Sequence, residues 1–270
     1  MNEETLPRVA ALLTTYNAED TVLDTLESVE AQNYSNMEVW VYDDASTDET
    51  VDILRDYKER SEYDVNLLLS DENTGHPYNG MNEVLERCDA DLVGVIDHDD
   101  LWHPQKTLVQ VQAWMDHDKA VGVGSNRWIW YEDQDRITRH QREEWAGFAQ
   151  HTTLLFENRD GWRYPLDVTK KDMAFQKNVL CQGQKKIFNV QHPLCVRRVR
   201  DEGSSLSDTW GSVSDLPRVA RRDGVFEALY ESYNMLVPAQ WRNWLSHRVF
   251  KPHLSKKDVL DVTWTPVRLN

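Results

Sequence analysis

The stretch Val95-Ile96-Asp97-His98-Asp99-Asp100-Leu101-Trp102 decides how the rest of the chain reads. With Leu92 and Val93 ahead of it, its apolar half has the continuous run expected of a strand buried on both faces, as in a parallel sheet. Three carboxylates then follow within four positions. Anions so close make one another costlier to ionise unless a cation lies among them. Oxygen ligands suit Mg²⁺ or Mn²⁺, and Mg²⁺ takes only one or two carboxylates, completing its shell with water and substrate phosphate. Asp97, Asp99 and Asp100 are therefore the candidate metal ligands, expected beside a diphosphate at the mouth of an α/β sheet.

The residues upstream of this stretch supply the rest of such a sheet. Arg8–Thr15 reads as a first buried strand ending in Thr14-Thr15-Tyr16-Asn17. Asp20 stands as the N-cap of a helix with Val22, Leu23, Leu26 and Val29 on one face. Met37–Tyr42 is a second strand delivering Asp43-Asp44, and Ser46-Thr47-Asp48 caps a helix carrying Val51, Ile53, Leu54 and Tyr57. Val65–Leu69 is a third strand. Asn73–Gly80 is a loop by composition, and a helix through Met81, Val84 and Leu85 leads to the Leu92–Ile96 strand. Alternating strands and helices predict parallel pairing with right-handed crossovers, an α/β fold whose ligands sit beyond the carboxyl ends of the strands. Thr14–Asn17, Asp43-Asp44 and Asp97–Asp100 all fall on that edge.

Downstream, Pro104 opens a helix through Leu108, Val111, Trp114 and Met115, and Ala120–Val123 and Trp128–Trp130 read as strands. Residues 131–170 are polar and aromatic with little periodicity. Asp172–Leu180 reads as a short helix ending near Gly183. Lys186–Val190 and Leu194–Arg198 read as two strands joined by a Gln191-His192-Pro193 turn, followed by a flexible loop over 201–207. Helical patterns cover 225–236 and 239–250. The expected organisation is a nucleotide-binding half (1–120), an acceptor and catalytic half of the same domain (121–212), and a helical, basic C-terminal extension (213–270).

The bulk figures exclude several classes. A 40% hydrophobic share and eleven Trp in 270 residues do not fit a disordered chain. No apolar run approaches the ~20 residues of a membrane span. Met1-Asn2-Glu3-Glu4 lacks the basic-then-apolar layout of a signal peptide, so a cytoplasmic location is expected. Cys88, Cys181 and Cys195 are scattered and odd in number, which points to reduced thiols. His98, His103, His151 and His192 lack zinc spacing and read as structural. The net charge of −16 is uneven: residues 181–270 hold 14 Lys/Arg against 9 Asp/Glu, while residues 1–180 carry a large acidic excess. An anionic substrate or acceptor would be met by the basic part.

Taken in order, these motifs resemble those of the family 2 glycosyltransferases, enzymes of the GT-A fold that use nucleotide-diphosphate sugars. The resemblance covers residues 8–120 well. The family's Thr/Ser-x-Tyr-Asn turn is Thr14-Thr15-Tyr16-Asn17, and its Asp-Asp-Gly-Ser-Thr-Asp is Asp43-Asp44-Ala45-Ser46-Thr47-Asp48. Its Asn-x-Gly loop and later Asn are Asn73, Gly75 and Asn82, and its Asp-x-Asp-Asp is Asp97-His98-Asp99-Asp100. The resemblance implies that Thr14 and Tyr16 hold the nucleotide base and Asp44 reads its edge, with Asn17 and Asp43 as further donor-binding residues. Asn73 and Gly75 would belong to the same donor pocket, and Asp97 and Asp99 would serve ribose and metal. An aromatic ring offers a stacking face, and a pyrimidine N–H needs an acceptor, so the chemistry agrees.

In the second half, Lys171-Asp172 matches the family's acidic pair and Val196–Arg200 its Tyr-Arg-x-His segment. Asp172 is thereby the candidate general base of an inverting transfer, and Arg198 and Arg200 the diphosphate clamp on a mobile loop. The chain departs from the pattern at Lys171, at Arg200 in the histidine place, and at Ala45 in the glycine place, which predicts a differently shaped turn.

The resemblance implies a UDP-sugar donor, Mn²⁺ or Mg²⁺, and a glycan or lipid-linked glycan acceptor, with Ala239–Lys257 as an interfacial helix at a membrane surface. Two alternatives use the same residues. A hydroxymethylated base of viral DNA would suit the basic, Trp-rich tail, and a degenerate sugar-nucleotide binder would suit Lys171 and Arg200. A nucleotidyltransferase would want a glycine-rich phosphate loop after the first strand, and Leu12–Asn17 has no glycine. A dinucleotide-dependent oxidoreductase would need G-x-G-x-x-G there.

Overall fold

The structure is a computed structural model that describes residues 6–132, 136–184, 186–200, 259–260 and 264. The chain divides into two compact units, one of residues 1–129, 138–197 and 260–270, the other of 130–137 and 198–259. The expected loop over 201–207 and the helices of the C-terminal extension lie outside the described residues, as does Ala239–Lys257. Among the described residues no helix is long and apolar enough to cross a membrane.

The first unit opens with the anticipated alternation: β1 (Val9–Thr15), α1 (Val22–Glu30), β2 (Met37–Asp43), α2 (Thr50–Arg60), β3 (Asp64–Leu69), α3 (Pro77–Arg87) and β4 (Leu92–Asp97). Then come β5 (Leu101–Trp102), α4 (Lys106–Asp116), β6 (Gly122–Tyr131), β7 (Arg136–His140), β8 (Trp145–Ala146) and β9 (Leu155–Glu157). α5 (Lys171–Ala174) runs into a π-helical turn at Phe175–Leu180, and β10 (Ile187–Val199) follows. The sheet order is β3-β2-β1-β4-β9-β6-β10-β5. The first four strands pair in parallel. β9 then runs antiparallel to β4 and to β6.

Every residue of β1 and β2 is buried, which is why their sequences are continuous apolar runs and not alternations. Two clusters sandwich the sheet. Val22, Leu26, Val29, Leu54 and Tyr57 of α1 and α2 pack on one face, and Met81, Val84 and Leu85 of α3 on the other. Gly80 brings α3 against β2 so closely that a Cβ there would lie 2.3 Å from the Tyr42 ring.

Several expectations are corrected. α1 begins after Thr21, and its inward face is Val22, Thr25, Leu26, Ser28 and Val29, with Leu23 37% exposed. The polar members of that face have work to do. The Thr25 hydroxyl donates to the backbone carbonyls of His98 and Asp100, both at 2.9 Å, and Ser28 Oγ accepts the Trp102 N–H at 3.0 Å. α3 starts at Pro77, inside the expected loop, because a proline's fixed φ and missing N–H suit a first helical turn. The strands expected at 120–123 and 128–130 form the single β6.

The Gln191-His192-Pro193 turn does not exist: β10 passes straight through it. Its partners explain how a proline is accommodated. Ile187 and Phe188 pair with β8, Cys195 and Val196 with β5, and Pro193 falls between those two ladders, where its missing N–H costs neither of them.

Candidate active site

Register fixes the edge. Across the parallel strands, Thr14 lies opposite both Tyr42 and Asp97, and Thr15 opposite Asp43. The three motifs therefore meet at neighbouring strand ends.

On the β1–β2 side most of the anticipated residues hold the edge together. Asp43 is 1% exposed, and its carboxylate accepts from Thr15 Oγ1 (2.8 Å), Ser46 Oγ (2.6 Å) and the Ser46 N–H (2.8 Å). Asn17 joins the loops after β1 and β2: its N–H donates to Ser46 Oγ and its Oδ1 accepts the Thr47 N–H, both at 2.9 Å. Asp44, 6% exposed, receives the Thr74 N–H and hydroxyl at 2.9–3.1 Å, which pins the loop after β3. Within that loop Asn73 Oδ1 accepts the Gly75 N–H at 2.7 Å, and Gly75 has φ +81, a conformation side chains resist. Thr14 is buried. Tyr16 is 46% exposed, an aromatic ring left open at the strand ends. Ala45 keeps φ +62, so the turn retains the glycine-type conformation despite the substitution.

The three carboxylates after β4 are not equivalent. Asp97 has a side chain 46% exposed; desolvation would raise it, but His151 beside it, with the charges of Arg197 and His98, holds it below the usual carboxylate range. Asp99 is raised by desolvation, with the Asp97 charge adding to it. Asp100 is 1% exposed and raised further, by burial and then by the charges of Asp99 and Asp97, against Arg197 and Arg127. Among the described residues no group of three or more His, Cys, Asp or Glu side chains is placed to hold a metal. Asp100, expected alongside Asp97 and Asp99, is buried where they are only partly so. Asp97 and Asp99 remain at the edge, and their mutual repulsion suits a cation that brings phosphate oxygens as its other ligands.

Sequence reasoning missed the aromatic group that adjoins Asp97. Because β9 is antiparallel to β4, with Gly94 opposite Leu155, the residues preceding β9 return to the edge where β4 ends. A single 3-10 turn, His151–Thr153, sits there. His151 Nδ1 is 3.8 Å from Asp97 Oδ1, and its Nε2 is 3.0 Å from the Tyr164 hydroxyl. Tyr164 is fixed in turn. Its N–H donates to Asn82 Oδ1 (2.7 Å), its carbonyl accepts from Asn82 Nδ2 (3.0 Å), and its ring stacks on Phe175 at 4.0 Å.

Tyr78, 5.4 Å from Tyr164 between ring centroids, accepts a hydrogen bond from the Asp172 backbone N–H. Burial raises the Tyr78 hydroxyl, and the charges of Asp172 and Asp97 raise it further. Asp172 sits half-buried in the first turn of α5, and the Lys171 ammonium lies 5.9 Å from the Tyr78 centroid. Asn82 was the one readable signal for this group.

The two neighbouring arginines differ in what they reach. Strand alternation sends neighbours to opposite faces. It is Arg197 whose charge lowers Asp97, Asp99 and Asp100. Arg198, in the second unit, is 6% exposed with its guanidinium 4.8 Å from the Trp130 ring centroid and 3.9 Å from Glu132. It belongs to β10, not to a mobile loop, and packing occupies it. Arg200 follows the strand, partly buried.

A model of the family described as glycosyl transferase family 2 matches residues 11–190, more than half of the chain. The chain belongs to glycosyl transferase family 2. It is 34% identical over 114 residues to TuaG of Bacillus subtilis, named a teichuronic acid biosynthesis glycosyltransferase, a match over 42% of this chain and 44% of TuaG. WfaP of Escherichia coli, named a UDP-Glc:alpha-D-GlcNAc-diphosphoundecaprenol beta-1,3-glucosyltransferase, is 27% identical over 189 residues, 66% of this chain and 72% of WfaP. The chain spans less than half the length of several curated relatives that it matches, TuaG among them.

Staphylococcus aureus TarS 1–349 in complex with UDP-GlcNAc superposes with a TM-score of 0.62 at 18% identity, over 96% of this chain and 76% of that one. The Pyrobaculum calidifontis mannosyltransferase PcManGT in complex with GDP-Man and Mn²⁺ superposes at 0.59 with 19% identity, over 91% and 69%. At such identities the likeness is one of fold, and the fold is that of the GT-A glycosyltransferases.

Proposed function

We propose that this protein transfers a sugar from a nucleotide-diphosphate sugar to an acceptor hydroxyl, with a divalent cation at Asp97 and Asp99 and inversion at the anomeric carbon. One observation carries the reading: a single edge holds an exposed Tyr16, the paired Asp97 and Asp99, and a ring, Tyr78, that feels both Asp97 and Asp172. Tyr16 offers a face for the base, and Asp44, held by Thr74, offers acceptors to its edge. Arg197 faces the diphosphate, replacing Arg198 in that part. Asp172 takes the acceptor proton, a contribution of ~10²–10⁴-fold in such reactions. A bound Mg²⁺ or Mn²⁺ would offset the charge developing on the departing diphosphate. A uridine donor and a glycan or lipid-linked acceptor are favoured by the names of WfaP and of the TarS complex.

The test is thermal unfolding with a panel of nucleotide-diphosphate sugars, each with and without Mn²⁺. A ligand at ~100 times its dissociation constant adds about 2.7 kcal/mol to the folded state. One uridine donor should raise the melting temperature only when Mn²⁺ is present, and Asp99→Asn should remove that metal-dependent part. No shift with any donor would overturn the proposal.

A further inference from the structure

We propose that His151 is a positioning residue for Asp97, its Nδ1–H directed at the carboxylate while Tyr164 donates its hydroxyl proton to Nε2 and fixes the ring. The inference rests on the reading of Asp97 as a donor-side carboxylate and adds a residue that the family motifs do not include. Three observations support it. The antiparallel entry of β9 delivers His151 to the end of β4 by backbone pairing, so its place does not depend on a flexible side chain. Both ring nitrogens face a polar group, Asp97 on one side and Tyr164 on the other. Tyr164 is itself immobilised by the reciprocal bonds with Asn82 and by Phe175, and at 1% exposure its hydroxyl keeps its proton. A hydroxyl that stays protonated donates, which makes Nε2 the acceptor and leaves the ring proton on Nδ1. At 3.8 Å the Nδ1–Asp97 contact is longer than a hydrogen bond, and such contacts in unliganded sites commonly tighten when a ligand binds.

The same strut continues past Asp97. Phe175, under the Tyr164 ring, lies three residues beyond Asp172 in the same helical segment. His151 and Tyr164 thereby join the carboxylate on the donor side to the segment that carries the candidate base.

The test has one spectroscopic arm and one binding arm. In protein labelled with ¹⁵N-histidine, the long-range ¹H–¹⁵N pattern of His151 at alkaline pH should be that of the Nδ1–H tautomer, with His151→Asn assigning the signal. Tyr164→Phe, which keeps the ring stacking, should release it to a tautomer mixture. For binding, His151→Asn leaves an amide N–H close to the place of Nδ1–H, whereas His151→Gln reaches towards Tyr164. The Asn variant should keep the donor dissociation constant and the Mn²⁺ half-saturation near the wild type, and the Gln variant should raise both by about ten- to a hundredfold.

An Nε2–H tautomer in the wild type, or Asn and Gln variants alike in binding, would overturn the positioning role. A wild type that takes no nucleotide sugar yet shows the Nδ1–H tautomer would overturn the proposed function and leave the strut supported.

Discussion

Replacing Ala45 with glycine should make this protein more stable. Ala45 holds φ +62 in the turn after β2, where the family pattern has glycine. The left-handed region costs an L-residue with a Cβ roughly 1–2 kcal/mol. Glycine removes that cost but loses ~0.4–1 kcal/mol through its freer unfolded chain. The methyl is only partly buried, so its removal forfeits little packing. The net gain is about 0–1.6 kcal/mol, centred near ~0.8, which for a domain of this size raises the melting temperature by roughly 2–3 °C at the centre. Ala45→Val should do the opposite and lose more than ~1 kcal/mol, because a branched Cβ tolerates positive φ least. Calorimetry on the three proteins, with urea midpoints as a second probe, reads both changes. A glycine variant no more stable than the parent, beside a harmless valine variant, would mean that the turn is not left-handed in solution. Donor affinity should hold in Ala45→Gly, since Asp43 and Asp44 are held by Ser46 and Thr74 and not by residue 45.

Asp172→Asn should bind donor as the parent does and lose transfer by at least ~10²-fold in kcat; full transfer would remove Asp172 as the base. Arg197→Ala should weaken donor binding about tenfold or more, the scale of one charge-assisted phosphate contact, whereas Arg198→Ala should lower the melting temperature with donor affinity unchanged, both read by calorimetric titration. Burial of Lys106, its ammonium 3.8 Å from the Trp102 centroid, lowers it to about 8. The unfolded chain therefore binds more protons between that pH and the ordinary lysine value, and stability rises with pH across the window. Lys106→Met should be more stable than the parent at pH 7 by about 1–3 kcal/mol, the burial cost less the ring's attraction, and the gap should close as pH climbs above 8. A gap that does not change with pH would refute the assignment.

Legibility followed burial. β1, β2 and β4 were readable because parallel strands covered on both faces are uninterrupted apolar runs, and the register of such strands then brings their ends together. β7, Arg-Ile-Thr-Arg-His, carries no fully buried residue and therefore no pattern. Proline marks turns in general, whereas here Pro193 lies within β10, clear of its ladders with β8 and β5. That Arg197 acts on the carboxylates while Arg198 packs on Trp130 is a matter of strand parity. One residue decides which face the guanidinium takes, and a motif aligned across a loosely matching half does not fix that residue. Asp100 stands one residue from Asp99 with the same chemistry, and only the carbonyls held by Thr25 show that the chain turns inward between them. His151 had no local signal. Its place comes from an antiparallel pairing with a strand some sixty residues earlier.

That pairing has an evolutionary consequence. A sheet of parallel strands alone must furnish its active edge from segments that leave a strand, and each is bound to the crossover helix behind it. At the boundary between β4 and β9, the edge also receives a segment on its way into a strand. Such a segment can be lengthened or shortened ahead of its last turn without disturbing the register of β1, β2 and β4, which aligns Thr14, Asp43 and Asp97. Selection can therefore remodel the approach to the edge while the strand ends that form it stay in place. Residues 141–150, which lead to the turn carrying His151, are where related chains should differ first in length, while the turn itself stays fixed against the end of β4.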